Sequence, residues 1–255
     1  MSDLHDALKT LGLHFLATNL DDLIERATKA RLTPRQLFEL ITHEEIKDRA
    51  RRSLERRRTR AQLGRFKPMS DYDWDWPKVI DRDLVESVLR LEFLQGPRNV
   101  VLRAAQGLGK TMIAQNIAHQ AVLAGHSVLF TTATRMLMDL EAIHGTPHLF
   151  QQCLRKYTRV ALLIVDEVGY LSYDTRAADL LFQVISERYE KRPTVLTTNM
   201  SFAEWPTIFP NASCTVALID RIIHHADIIG IEGESYRRRE AEAHKASRKK
   251  KPTAV

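Results

Sequence analysis

The chain has 255 residues, with 38 Lys and Arg against 32 Asp and Glu and a formal net charge of +6. Its 44% hydrophobic and 27% charged residues suit one large domain or a core with a small appendage, and they exclude wholesale disorder and a collagen-like repeat. The two cysteines, Cys153 and Cys214, exclude a disulfide scaffold or a Cys-rich zinc module, and no apolar run approaches the ~20 residues of a membrane helix.

The first 65 residues read as helical. Leu4, Leu8 and Leu11 share one helix face, and Leu20, Leu23 and Ile24 repeat the spacing. Thr33-Pro34-Arg35-Gln36 has the form of a helix start, with Thr33 as N-cap, Pro34 at the first helical position and Gln36 closing a capping box. The helix that follows carries Leu37, Leu40 and Ile41 on one side and then becomes too basic to bury. Residues 47–65 hold nine Lys/Arg and two Asp/Glu, a net of +7, and residues 237–251 hold eight and two, a net of +6. The rest of the chain therefore sums to −7. Such a basic run is either a solvated face or a surface for nucleic-acid phosphates; Arg51, Arg52, Arg56, Arg57 and Arg58 are the candidates for the second role. Gly64 and Pro68 mark a hinge. The expected division is a helical domain over 1–65, a second domain over 66–247 and a disordered basic tail over 248–255. With no start resembling a signal peptide, a cytoplasmic location is expected.

From Pro77 onward short apolar runs alternate with helical stretches. A helix is predicted near 82–95, ending at Gly96-Pro97, then a strand over Asn99–Leu102. A helix over 110–124 is closed by Gly125. Strands follow over 128–131, 160–165 and 194–198, with helix between them. Continuous apolar strands separated by helices predict an α/β fold, a parallel sheet covered on both faces.

Ala104-Ala105-Gln106-Gly107-Leu108-Gly109-Lys110-Thr111 lies between a predicted strand and a predicted helix, the setting a phosphate-binding P-loop requires. Small residues let backbone N–H groups turn toward an anion, and the helix N-terminus adds its partial positive charge. Lys110 would reach the β- and γ-phosphates, Thr111 would ligate Mg²⁺, and Met112 completes the nucleotide-binding segment. Ala104 stands where the stricter pattern has Gly, a substitution that costs affinity if the position needs a positive φ. Leu162-Leu163-Ile164-Val165-Asp166-Glu167 is an apolar strand ending in two carboxylates, 56 residues after Lys110. Asp166 would hold Mg²⁺ and Glu167 would polarise the attacking water. Asn199, after the next strand, is either a turn residue or a sensor bridging that water and the γ-phosphate.

These residues resemble the AAA+ ATPases of the IstB/DnaC group, and most closely the IstB-type helper ATPases of bacterial insertion sequences. The segments that carry the likeness are 106–115 (QGLGKTMIAQ), 162–174 (LLIVDEVGYLSYD), 181–190 (LFQVISERYE), 197–205 (TTNMSFAEW), 219–225 (IDRIIHH) and 233–237 (GESYR). The resemblance implies an AAA+ P-loop core preceded by a small all-α domain, ATP and Mg²⁺ as cofactors, self-association into a higher-order oligomer on double-stranded DNA, and recruitment of a cognate transposase. It also implies that Arg221 is an arginine finger for the neighbouring subunit and Arg237 a second sensor. Helices over 134–157 would contribute to DNA binding, with Arg155, Lys156 and Arg159 as the available cations; otherwise these line a solvent face. A helicase loader of the same clade and a non-hydrolysing DNA scaffold are the alternatives. The N-terminal helices would dock a partner or clamp DNA. Trp74 and Trp76 would shield the adenine or simply pack. For His224-His225 a metal role is not expected, because adjacent helical residues point apart and no Cys or third His lies nearby at ligand spacing.

Overall fold

The computed structural model describes residues 2–143, 145–170, 175–209 and 213–240. Tyr173 and Asp174, which close the segment 162–174, and the basic tail over 248–255 lie outside the described residues. The chain forms two compact units, with the boundary between Arg56 and Arg57.

The first unit contains α1 (Ser2–Thr10), α2 (His14–Lys29) and α3 (Pro34–Ala61) as far as Arg56. Leu8, Leu16, Ala17 and Leu23 form its small core, with Leu40 and Ile41 packed against them. The predicted capping box is present: Thr33 N–H donates to Gln36 Oε1 at 2.8 Å and Gln36 N–H donates to Thr33 Oγ1 at 3.4 Å. No side chain at its own N-cap caps α2. Glu45 of α3 does so from a distance in sequence, accepting from the backbone N–H groups of Phe15 and Leu16 at 2.9 and 3.1 Å. A buried carboxylate at a helix N-terminus meets both the unpaired donors and the positive end of the dipole.

The second unit runs through β1 (Val79–Ile80), α4 (Arg82–Leu89), β2 (Asn99–Ala104), α5 (Lys110–Leu123), β3 (Val128–Thr132), α6 (Ala133–Glu141), α7 (Pro147–Thr158), β4 (Leu162–Val168), α8 (Thr175–Arg188), β5 (Thr194–Thr198), α9 (Trp205–Ile208), α10 (Thr215–Ile223) and β6 (Ala226–Glu232). The sheet has the order β1-β6-β2-β5-β4-β3. All neighbours are parallel except β1, which pairs antiparallel with β6 at the edge. Right-handed crossovers send α5 across one face, because β2 to β3 runs one way along the sheet. They send α6, α7, α8 and α10 across the other, because β3, β4, β5 and β6 step back. The main apolar cluster agrees: Met136, Leu154, Leu181 and Ile222 of those four helices join Leu163 and Val165 of β4. The helix predicted over 82–95 stops at Leu89, since Leu91 takes φ 65° and a short 3₁₀ turn over Glu92–Gln95 follows.

At the amino ends of β4 and β5, Arg188 is 1% exposed and pairs with no carboxylate among the described residues. Its guanidinium donates to the carbonyls of Tyr157 (3.0 Å), Val160 (2.9 Å) and Pro193 (2.5 Å) and to Thr194 Oγ1 (3.0 Å). Burial pulls its pKa down to about 9.

Candidate active site

Because β2, β4 and β5 are parallel, their carboxyl ends meet at one edge of the sheet, where crevices in open α/β sheets take ligands. A cavity of about 370 Å³ lies there. Ala104 ends β2 as an ordinary strand residue paired with Ile231, with no positive φ, so the position needs no glycine. Gly107 (φ 81°) and Gly109 (φ 87°) do need to be glycine. A Cβ on Gly107 would stand 2.1 Å from Ser235 Oγ, and one on Gly109 would stand 2.5 Å from the Tyr72 ring. Tyr72 also donates from its hydroxyl to the Leu108 carbonyl at 3.2 Å, and Tyr236 N–H donates to the Gly107 carbonyl at 3.0 Å. The loop is thus gripped from two sides. Gly109 then leads into α5, whose first residues, Lys110, Thr111 and Met112, line the cavity.

Lys110 Nζ donates to the carbonyls of Ala104 and Ala105 at 2.7 and 2.9 Å. Burial pushes its pKa down; Asp166 and Glu167 oppose that shift and Arg237 adds to it. Arg237 and Asn199 both line the same cavity, which brings them together with the P-loop.

Asp166 is 3% exposed on β4. Its Oδ1 accepts from Thr111 Oγ1 at 3.2 Å and from Thr197 Oγ1 of β5 at 2.5 Å. The register of β4 against β5 shifts between Val165 and Val168, and Glu167 within that bulge takes φ 62°. Its amide donates to Thr197 Oγ1 at 2.9 Å, and the residue lines the cavity. Oxygen donors on Thr111 and Asp166, beside a loop that only glycine fits, suit a magnesium–nucleotide pair.

Residues 6–244 match the family model described as IstB-like ATP binding protein. The chain belongs to this family. ATP binding and hydrolysis come with that membership. Among its relatives, a Pseudomonas aeruginosa protein named for ATP binding in insertion sequence IS21 is 33% identical, over 94% of this chain and 90% of its own length. One named likewise for insertion sequence IS232, from Bacillus thuringiensis, is 32% identical, over 90% and 92%. Among solved structures, DnaI is similar at a TM-score of 0.53 and 19% identity, covering 68% of this chain and 92% of that one, a likeness of fold.

In this IstB-like chain the remaining candidate residues separate. Arg221 is not among the residues lining the chain's own cavity; it lies on α10, bonded to Ser186 Oγ and stacked over the Phe182 ring at 4.5 Å. In the first unit, Arg51 and Arg52 are paired with Asp48 at 2.7 and 2.6 Å, and Arg52 also reaches Glu45. Arg56 and Arg58 are exposed, and Arg57 donates to the Val122 carbonyl at 3.2 Å. Arg155 is exposed, whereas Lys156 bonds Asp139 at 2.9 Å. Trp76 lines the cavity; Trp74 instead packs edge-on against Tyr72 beneath Arg82. Among the described residues, no helix is long and apolar enough to cross a membrane. Sequence reasoning gave no role to Tyr72, Ser235 or Thr197, although the last two lie within the segments 233–237 and 197–205. The two glycines signalled a close approach to the loop, but not which side chains make it.

Proposed function

We propose that the chain is an ATP-driven transposition helper, which assembles on double-stranded DNA largely without regard to sequence and recruits its transposase. The observation that carries the ATPase half is Asp166, held by Thr111 and Thr197, with Lys110 and Glu167 beside the same cavity. Thr111 and Asp166 would hold Mg²⁺, which when bound neutralises phosphate charge. Lys110 swings from the two carbonyls it now holds to the β- and γ-phosphates. Glu167 takes a proton from the water that attacks the γ-phosphorus as the bond to the β–γ bridging oxygen breaks, and Asn199 orients that water. Arg237 reads the nucleotide from within the chain, and Arg221, which does not line its own cavity, serves a neighbouring subunit.

Relatives covering nine-tenths of the chain are named for insertion sequences, which favours the helper over a helicase loader. The complete set of Lys110, Thr111, Asp166 and Glu167 favours hydrolysis over an inert scaffold. The exposed arginines of 47–65, with Arg155, supply phosphate contacts, so binding weakens steeply with salt. An ATPase assay with and without unrelated duplexes and transposase tests the reading. Lys110→Ala should lose nucleotide binding and assembly, while Glu167→Gln should retain both without turnover. Absence of turnover in the parent protein with DNA and transposase present overturns it.

A further inference from the structure

Far from the cavity, α8 and α10 end side by side in two turns of unfavourable backbone. Glu190, just past α8, takes φ 55°, and His225, two residues past α10, takes φ 58°. Helix ends of this left-handed kind normally use Gly or Asn; here both positions carry metal-ligating side chains. The helix stops at Ile223 and His224 is extended at ψ 118°, so the two histidines are not on a helix. The left-handed turn at His225 brings the imidazoles together, with ring centroids 3.8 Å apart, in place of the divergence expected of helical neighbours. Glu190 supplies the third group, remote in sequence. One donor atom from each of Glu190, His224 and His225 lies within 4.8 Å of the others, and all three residues are exposed.

We propose that Glu190, His224 and His225 form a binding site for a divalent transition-metal ion of the zinc type. Two imidazoles and one carboxylate with a free position are a three-protein-ligand set that such ions accept. Tetrahedral coordination needs donor atoms about 3.3 Å apart, a closure that exposed side chains make without moving the backbone. The Tyr189 hydroxyl stands 2.6 Å from His224 Nδ1, the same nitrogen that lies 3.9 Å from Glu190 Oε1, so a third polar side chain borders the cluster. The Tyr189 ring also stacks on that imidazole at 5.8 Å and lies 5.9 Å from the Arg221 guanidinium. A bound ion would therefore tie the end of α8 to the turn before β6, across the helix pair that Arg221 packs against.

The test uses the full chain, chelator-stripped and nucleotide-free, titrated with Zn²⁺ against a chromogenic chelator and with Co²⁺ followed by its visible absorption. One ion per chain is expected, with the intense Co²⁺ band of a four-coordinate site. Glu190→Gln and His225→Asn should each weaken binding at least ~10-fold, the second keeping a residue that tolerates a left-handed backbone. Unchanged melting of the metal-free variants establishes that they are folded. A parent that binds no ion, or a Glu190→Gln/His225→Asn double variant that binds as the parent does, overturns the assignment.

Discussion

Thr197 Oγ1 stands 2.5 Å from Asp166 Oδ1 and 2.9 Å from the amide nitrogen of Glu167. A single hydroxyl on β5 thus donates to one carboxylate of β4 and accepts from the backbone of the next, across the bulge that turns Glu167 away from the ladder. Thr197→Val keeps the shape and removes both bonds. Turnover should fall on the order of tenfold with the KM for ATP nearly unchanged, and stability should fall by about 1–3 kcal/mol for the groups left unpaired. Thr197→Ser should retain most of both. Steady-state ATPase rates and a thermal melt check this, and a Thr197→Val protein with parental turnover would discount the bridge.

Trp76 and Trp74 make separable predictions about the nucleotide. Trp76 lines the cavity, its indole N–H donating to the Glu234 carbonyl at 2.7 Å and its ring meeting Tyr236 at 6.0 Å. A nucleotide entering there should change Trp76 fluorescence. The change should vanish in Trp76→Phe and persist in Trp74→Phe; the reverse pattern would move the base elsewhere.

What the sequence made legible was local. The P-loop, the two carboxylates and the capping box at Thr33 are short patterns whose residues touch one another or the same ligand. Tyr72 and Ser235 were invisible because their role is set by chain packing from 37 and 128 positions away from Gly109 and Gly107. The strand that leads to Asp166 is predicted over 160–165 and begins at Leu162 in the structure. It continues to Val168, because two threonine hydroxyls satisfy the carboxylate inside the sheet. Sequence places the histidine pair on a helix, whereas α10 stops at Ile223, and a helix end fixed by a left-handed His225 leaves no sequence signature. The two-residue β1 is too short for any period to reveal it.

Arg188 should be a stability residue with no direct part in turnover. Its buried fork holds the carbonyls that precede β4 and β5. Arg188→Met leaves several of these unpaired and should cost about 3 kcal/mol or more, lowering Tm by roughly 6–12 °C. Arg188→Lys should rescue little, since an ammonium cannot span the same carbonyls. Because burial holds the folded pKa near 9, below that of an unfolded arginine, the unfolded chain binds the extra proton in the window above about 9. This group's contribution therefore makes stability rise with pH across that window. Calorimetry of parent and Arg188→Met from pH 8.5 to 10.5 should show the difference between them changing with that sign.

Cys214 is predicted to be a slow thiol. Burial and then the neighbouring Asp179, 3.3 Å from its sulfur, push its pKa up to about 11. At pH 8 its thiolate fraction should be roughly a hundredfold below that of a thiol at 9. Alkylation should accelerate about tenfold per pH unit up to pH 10, and Asp179→Asn should speed it at fixed pH. Mass spectrometry of the Cys214 peptide reads both.

If Arg221 serves a neighbour, its loss can be complemented. Arg221→Ala chains keep an intact cavity and lack the cation to lend; Glu167→Gln chains lend Arg221 and lack turnover of their own. Each alone should lose activity, by on the order of 10³ if the arginine stabilises transition-state charge. Mixed in equal amounts on DNA, they form interfaces in which a Glu167→Gln chain faces the complete site of an Arg221→Ala chain. Random mixing should then restore roughly a quarter of parental turnover, because one interface in four has both parts. An arginine acting within its own chain yields no such recovery, since no subunit in the mixture holds both residues. The packing of Arg221 on Phe182 and Ser186 of its own α8 adds a second comparison. Phe182→Ala should reduce turnover by loosening the arginine's support while leaving nucleotide binding to the isolated chain unchanged, which ATP titration at concentrations below assembly measures directly.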